Sequence, residues 1–267
     1  HITDLIEIYK KENLQNIDIK QQILSSTQNV YQRYFYNHKS PEDKLKLINF
    51  YKQLIQDKHL EAYQAQIAVR SFISLSNPAQ IQEQLVAINQ QISKLHPKFQ
   101  LGLKIELVNK SRAFEKNYIS QIIELLKIHQ SAELDDSFNL FMINRLTHAG
   151  INDLLPESKQ QIATYLASIQ DKYTTFEAIP SDPQITMFSW GKWLEATALM
   201  NSDTFEKAGK WINQFLENKS NQDQINYVIG LSSSDYLKKA FMQEPVLLEF
   251  KNNNLNWYEN SVGLKNE

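Results

Sequence analysis

Along most of the chain apolar residues recur at three- and four-residue spacing, the period that places side chains on one face of an α-helix. In SPEDKLKLINFYKQLI, beginning at Ser40, the positions Leu45, Leu47, Ile48, Leu54 and Ile55 form such a stripe. The start of this helix is written into the same stretch: Ser40 suits the cap, Pro41 suits the first helical position, and Glu42 and Asp43 set negative charge at the positive end of the helix dipole. The same grammar recurs in NPAQIQEQLVAINQQI, where Asn77 caps, Pro78 follows and Gln80 stands three residues past the cap. It recurs again from Asp182, from Asp203 with Glu206 completing a capping box, and near Ser232.

Between these starts lie further helical patterns: LIEIYK, IKQQILSSTQNVYQRYFY, LEAYQAQIAVRSFISL, FQLGLKIELVNK, FEKNYISQIIELLKIH, SFNLFMINRLTHAG with Gly150 as its stop, and SKQQIATYLASIQDKY. No segment alternates convincingly as a strand. The expectation is therefore an all-α fold, an array of about a dozen antiparallel helices packed as helical hairpins, either an open solenoid or a closed α/α toroid. The caps at Ser40 and Asn77 are one helix pair apart, a spacing of the kind found in helical repeats. Later segments do not repeat the residues, and the tetratricopeptide consensus is matched nowhere. The reading is one domain over residues 1–267, with a possible subdivision near 174–183, where two prolines and small polar residues interrupt the helices.

Composition sharpens this picture. Six glycines and seven prolines are few against the roughly 19 and 13 that average usage would supply. Scarce turn formers favour long helices with short connections over a strand-rich fold. Charge is balanced, with 28 basic and 30 acidic residues interspersed and a net −2, which leaves no nucleic-acid footprint. The absence of cysteine excludes disulfides, thiolate metal sites and cysteine nucleophiles. No apolar run reaches the roughly 20 residues of a membrane span, and no stretch of the given sequence has the pattern expected of a signal peptide. Because His1 is not an initiator methionine, the chain is expected to begin after a removed segment, and an extracytoplasmic location is favoured over a cytoplasmic one.

Two aromatic groups are candidates for ligand binding. In MFSWGKWLEATALM, Trp190 and Trp193 lie three apart on one helix face with Gly191 between them. Trp193 joins Ala196 and Met200 in a continuous apolar stripe and is expected in the core, while Trp190 is expected to be at most partly exposed. In VYQRYFYNH, Tyr31, Tyr34 and Phe35 share a face and Arg33 and Tyr36 point elsewhere. Tyrosine and arginine both offer area with a hydrogen-bonding tip, the mixture found on recognition surfaces, although aromatics also fill the space between helix layers. The candidate ligand-binding residues are Tyr31, Arg33, Tyr34 and Trp190 from these two groups, together with Trp211 in DTFEKAGKWINQFL.

Candidate chemistry is thinner. His129, Glu133, Asp135, Asp136 and His148 fall within twenty residues and could supply a metal site or an acid and base pair. Only His129 and Glu133 are spaced to converge from one helix, and Asp135 and Asp136 precede an apolar run where acidic residues stabilise a helix start. His59 and His96 sit at apparent helix ends and carry no further signal. GLSSSDY, from Gly230, lacks the strand that a nucleophile elbow needs. Phosphate-binding loops, dinucleotide fingerprints, H-E-x-x-H and EF-hand loops are all missing. No catalytic residue, metal or cofactor is implied. The expectation is a non-catalytic binding module that holds a peptide, protein or extended ligand in a concave groove, with neither nucleic acid nor a membrane span involved. The rival is an α/α-toroid enzyme acting on a glycan or isoprenoid-like substrate, with Trp190, Trp193, Trp211 and Asp135 or Asp136 around a central cavity.

Overall fold

The computed structural model describes residues 2–11, 19–27, 40–131, 136–148 and 154–169. Among them are ten α-helices and no strand, so the chain is all-α over this part. In chain order they are α1 (Ile2–Lys11), α2 (residues 19–27), α3 (Pro41–Gln56), α4 (Ala62–Leu75), α5 (Pro78–Glu83), α6 (Leu85–Ser93), α7 (Pro97–Lys110), α8 (Glu115–Ser131), α9 (Asp136–His148) and α10 (Pro156–Ser168). A 3₁₀ turn covers Arg112–Phe114. The segment 174–183 lies outside the described residues.

Local sequence explains most of the starts. Ser40 is extended at φ −89° and ψ 108°, and its hydroxyl accepts the Asp43 N–H at 3.3 Å with Pro41 opening the helix. At α5 the capping box closes in both directions: Asn77 Oδ1 accepts from Gln80 N–H and Gln80 Oε1 accepts from Asn77 N–H, each at 2.9 Å. His96 lies just past the end of α6 and also caps the start of α7, its Nδ1 accepting the Lys98 N–H at 3.3 Å with Pro97 opening the helix.

Two details depart from the sequence reading. Residues 78–93 form two helices, because Gln84 takes φ −104° and ψ 9° and its N–H turns back to the Ile81 carbonyl. No glycine or proline marks the break. Leu45, placed in the apolar stripe of α3, is 54% exposed, whereas Leu47, Ile48, Leu54 and Ile55 are buried together with Phe50 and Tyr51. The buried set follows the neighbours that α3 meets, which hydrophobic spacing alone does not specify.

The chain divides into two compact units, His1–Phe114 and Glu115–Glu267. In the first, residues 57–61 join α3 to α4, and these two helices share the most extensive interface. Such a short link makes them an antiparallel hairpin. Helix α4 also packs on α6 and α7, which is why its buried residues, including Ala65, Ile67, Ala68, Val69, Phe72 and Ile73, are not confined to one stripe. In α7 five successive residues, Leu101–Ile105, are buried. Helix α1 docks on α3, with Tyr9 edge-on to Phe50 at 5.4 Å between centroids.

The α6–α7 segment is tied to the α3–α4 hairpin at a nearly constant sequence offset. Arg70 in α4 pairs with Glu106 in α7 at 3.2 Å, and Lys110 Nζ donates to the Ser74 carbonyl at 2.9 Å, each over 36 residues (106 − 70 and 110 − 74). Helices α4 and α7 therefore run side by side in the same direction. At the turn end, Gln91 Nε2 donates to the Ile55 and Asp57 carbonyls at 2.9 and 2.7 Å, and Lys94 Nζ donates to the Lys58 carbonyl at 2.8 Å.

In the second unit α8 packs on both α9 and α10. Its core joins Tyr118, Ile119, Ile122 and Leu126 of α8 with Ile143 and Leu146 of α9 and Ile162, Tyr165 and Leu166 of α10. Ser120 meets Gln161 at 3.1 Å across 41 residues, and the Leu155 N–H donates to Glu115 Oε1 at 2.8 Å across 40. These two contacts lay α10 alongside α8 in the same direction.

Candidate binding surfaces

The residues singled out from sequence as ligand-binding, Tyr31, Arg33, Tyr34, Trp190 and Trp211, lie outside the described residues, as do Trp193, Glu133 and Asp135. His129 falls in α8, His148 ends α9 and Asp136 is the first residue of α9, the helix-start position that its sequence context indicates. Among the described residues no three histidine or acidic side chains gather as metal ligands. His59 is exposed, and its backbone N–H donates to Asp57 Oδ1 at 2.9 Å within the α3–α4 link.

A cleft in the first unit, about 580 Å³, is lined by Gln21, Gln22, Ser25 and Ser26 of α2 and by Tyr63 at the start of α4. The α2 residues are two i, i+4 pairs, Gln21 with Ser25 and Gln22 with Ser26, so they form adjacent columns on one side of the helix. Tyr63 is 46% exposed, and its hydroxyl lies 3.4 Å from Ser25 Oγ. Every described lining residue is uncharged. Lys20, the neighbouring cation in sequence, directs its ammonium over the Tyr9 ring at 5.8 Å from the centroid. In the sequence this group shows only as the QQ and SS pairs of IKQQILSSTQ, which carry no aromatic or catalytic residue to mark them.

Among the described residues, exposed aliphatic side chains are few. Leu45 on α3 and Val86 on α6 are the most exposed of these at 54% and 74%, and the exposed positions around them on the same helices include the amides Asn49, Gln53, Asn89 and Gln90. That mixture offers apolar area beside donors and acceptors without a dominant charge.

Buried polar groups fall into a different class. Tyr51 is fully buried between α3 and α4, and burial pushes its hydroxyl up to about 12, with Ser71 nearby pulling slightly the other way. Neither hydroxyl has a hydrogen bond of good geometry. Lys104, buried in α7, is held below the usual lysine range by desolvation. Glu115 is fully buried, with Oε1 on the Leu155 N–H and Oε2 without a hydrogen-bond partner. None of these residues lines the cleft.

The chain matches no known protein family, no curated protein and no solved structure, so a functional reading rests on its own residues.

Proposed function

We propose that the chain is a non-catalytic interaction protein, an array of helical hairpins extending beyond α7 that receives a peptide or protein partner along a concave, exposed helix face. The observation that carries this reading is the in-register pairing of α4 with α7, tied through Arg70–Glu106 and Ser74–Lys110 at a common 36-residue offset. A unit that stacks on its successor at a constant offset can be extended indefinitely, and extension produces the broad surface that suits an elongated partner. The side-by-side run of α8 and α10 supports the same reading. Balanced charge and an amide-rich exterior favour a partner held by shape, apolar anchors and hydrogen bonds rather than by long-range attraction.

The test is selection of random displayed peptides on the immobilised full chain, followed by titration calorimetry. Enriched peptides should bind in the micromolar range, and the double substitution Leu45→Glu with Val86→Glu should weaken them about tenfold or more without lowering the thermal midpoint. Both positions are exposed, so loss of binding will not reflect unfolding. The contrary result is failure of any peptide to enrich, together with turnover of a glycan or lipid-linked substrate that vanishes in Asp135→Asn or Asp136→Asn. That pair of outcomes establishes the α/α-toroid enzyme instead.

A further inference from the structure

We infer that the cleft between α2 and the start of α4 is a binding site for a neutral saccharide, with Tyr63 as its stacking surface. The cleft holds about 580 Å³, within the range of small-molecule sites and large enough for an oligosaccharide segment of a few rings. Its lining is two amides, two aliphatic hydroxyls and one phenol, from Gln21, Gln22, Ser25, Ser26 and Tyr63. Each of these side chains both donates and accepts hydrogen bonds. A sugar hydroxyl has the same double character, and a vicinal diol presents two such groups side by side, matching the adjacent oxygen and nitrogen of a glutamine amide.

Charge selects among ligands. An anion or cation entering this cleft would lose hydration with no charge among the described lining residues to replace it, whereas a neutral polyol exchanges water hydrogen bonds for equivalent ones. None of the described lining residues is aliphatic, so they offer no dedicated pocket to an apolar peptide side chain. The ring of Tyr63 supplies the remaining element. At 46% exposure it leaves ring surface open at the cleft, and aromatic rings meet the C–H face of a pyranose through dispersion and weak C–H contacts. The contact between Ser25 Oγ and Tyr63 Oη, at 3.4 Å, is long for two hydroxyls and gives up little when a ligand hydroxyl takes its place.

The experiment is saturation-transfer NMR on the full chain with maltopentaose, cellopentaose and chitopentaose, each at millimolar concentration, beside sialyllactose as an anionic sugar and a glycine-serine pentapeptide as a backbone-amide control. The expected result is transfer to at least one neutral oligosaccharide, weakened about tenfold in dissociation constant by Tyr63→Ala and kept within about threefold by Tyr63→Phe, which preserves the ring. Gln22→Glu, at an exposed position, should weaken the same ligand. Absence of transfer to all three neutral sugars overturns the assignment. So does binding that is indifferent to Tyr63→Ala, or Tyr63-dependent binding of sialyllactose or the pentapeptide in preference to the neutral sugars. This site is separate from the peptide-binding face, so the Leu45→Glu and Val86→Glu pair should leave sugar binding unchanged.

Discussion

Replacing Gln91 with methionine is the sharpest test of how the α6–α7 segment is attached to α3–α4. The side chain is 2% exposed, and its amide donates to two carbonyls in the last turn and cap of α3, Ile55 at 2.9 Å and Asp57 at 2.7 Å. Carbonyls at a helix C-terminus have no partner within their own helix, so Gln91 caps α3 from a different hairpin. Methionine has nearly the same volume and fills the site without a cavity, which isolates the hydrogen bonds. A bond of this kind nets about 1 kcal/mol, and a buried acceptor left alone costs about 1–3 kcal/mol. Asp57 is exposed, so water replaces its donor, and the main cost falls on the buried Ile55 carbonyl. Lys94 Nζ, 3.0 Å from Gln91 Oε1, also loses an acceptor but keeps the Lys58 carbonyl. The expected loss is about 2 kcal/mol, read as a urea midpoint lowered by about 0.5–1 M in far-ultraviolet circular dichroism. Gln90→Met, at the exposed neighbouring position, is the control and should stay within about 0.5 kcal/mol. Equal effects of the two substitutions would refute the cross-hairpin cap.

Two further predictions concern buried polar groups. Because burial raises Tyr51 from its ordinary value of 10 to about 12, the unfolded chain releases this proton first as pH rises. Its stabilising contribution is present below pH 10 and is lost by pH 12, about 3 kcal/mol in all. Tyr51→Phe should therefore flatten the decline of urea midpoint between pH 10 and 12, and an unchanged slope would contradict the assignment. Glu115→Leu removes the buried acceptor of the Leu155 N–H. It should cost about 2 kcal/mol and speed hydrogen exchange at the Leu155 amide; protection equal to the parent would show that this contact does not hold the start of α10.

The helix starts were legible wherever the grammar is local. Ser40 with Pro41, and Asn77 with Gln80, satisfy backbone donors within four residues, so the cap is present in the sequence itself. His96 belongs to the same class, since Pro97 directly after it is the residue that favours a helix start. Leu45 shows where periodicity stops informing: a stripe gives a direction, but only the positions of α1, α4 and α6 around α3 decide how wide the buried arc is. The interruption at Gln84 and the reach of Gln91 to Ile55 are tertiary events without a nearby residue to announce them. The cleft was hidden for a related reason, since it combines a polar helix side with a tyrosine 37 positions beyond Ser26 (63 − 26).

The ties between α3–α4 and α6–α7 also have a mechanical meaning. Gln91 and Lys94 fasten the turn end to Ile55, Asp57 and Lys58, while Lys110 fastens the opposite end to Ser74, with Arg70–Glu106 between. Rotation of one segment against the other about either end lengthens the bonds at the other, and sliding lengthens them all together. A load across this joint is therefore shared rather than met by one contact after another. Helix faces carried on such a joint keep their spacing under load, so a partner of the proposed kind would meet a surface whose shape is already set and little ordering entropy would be lost on contact.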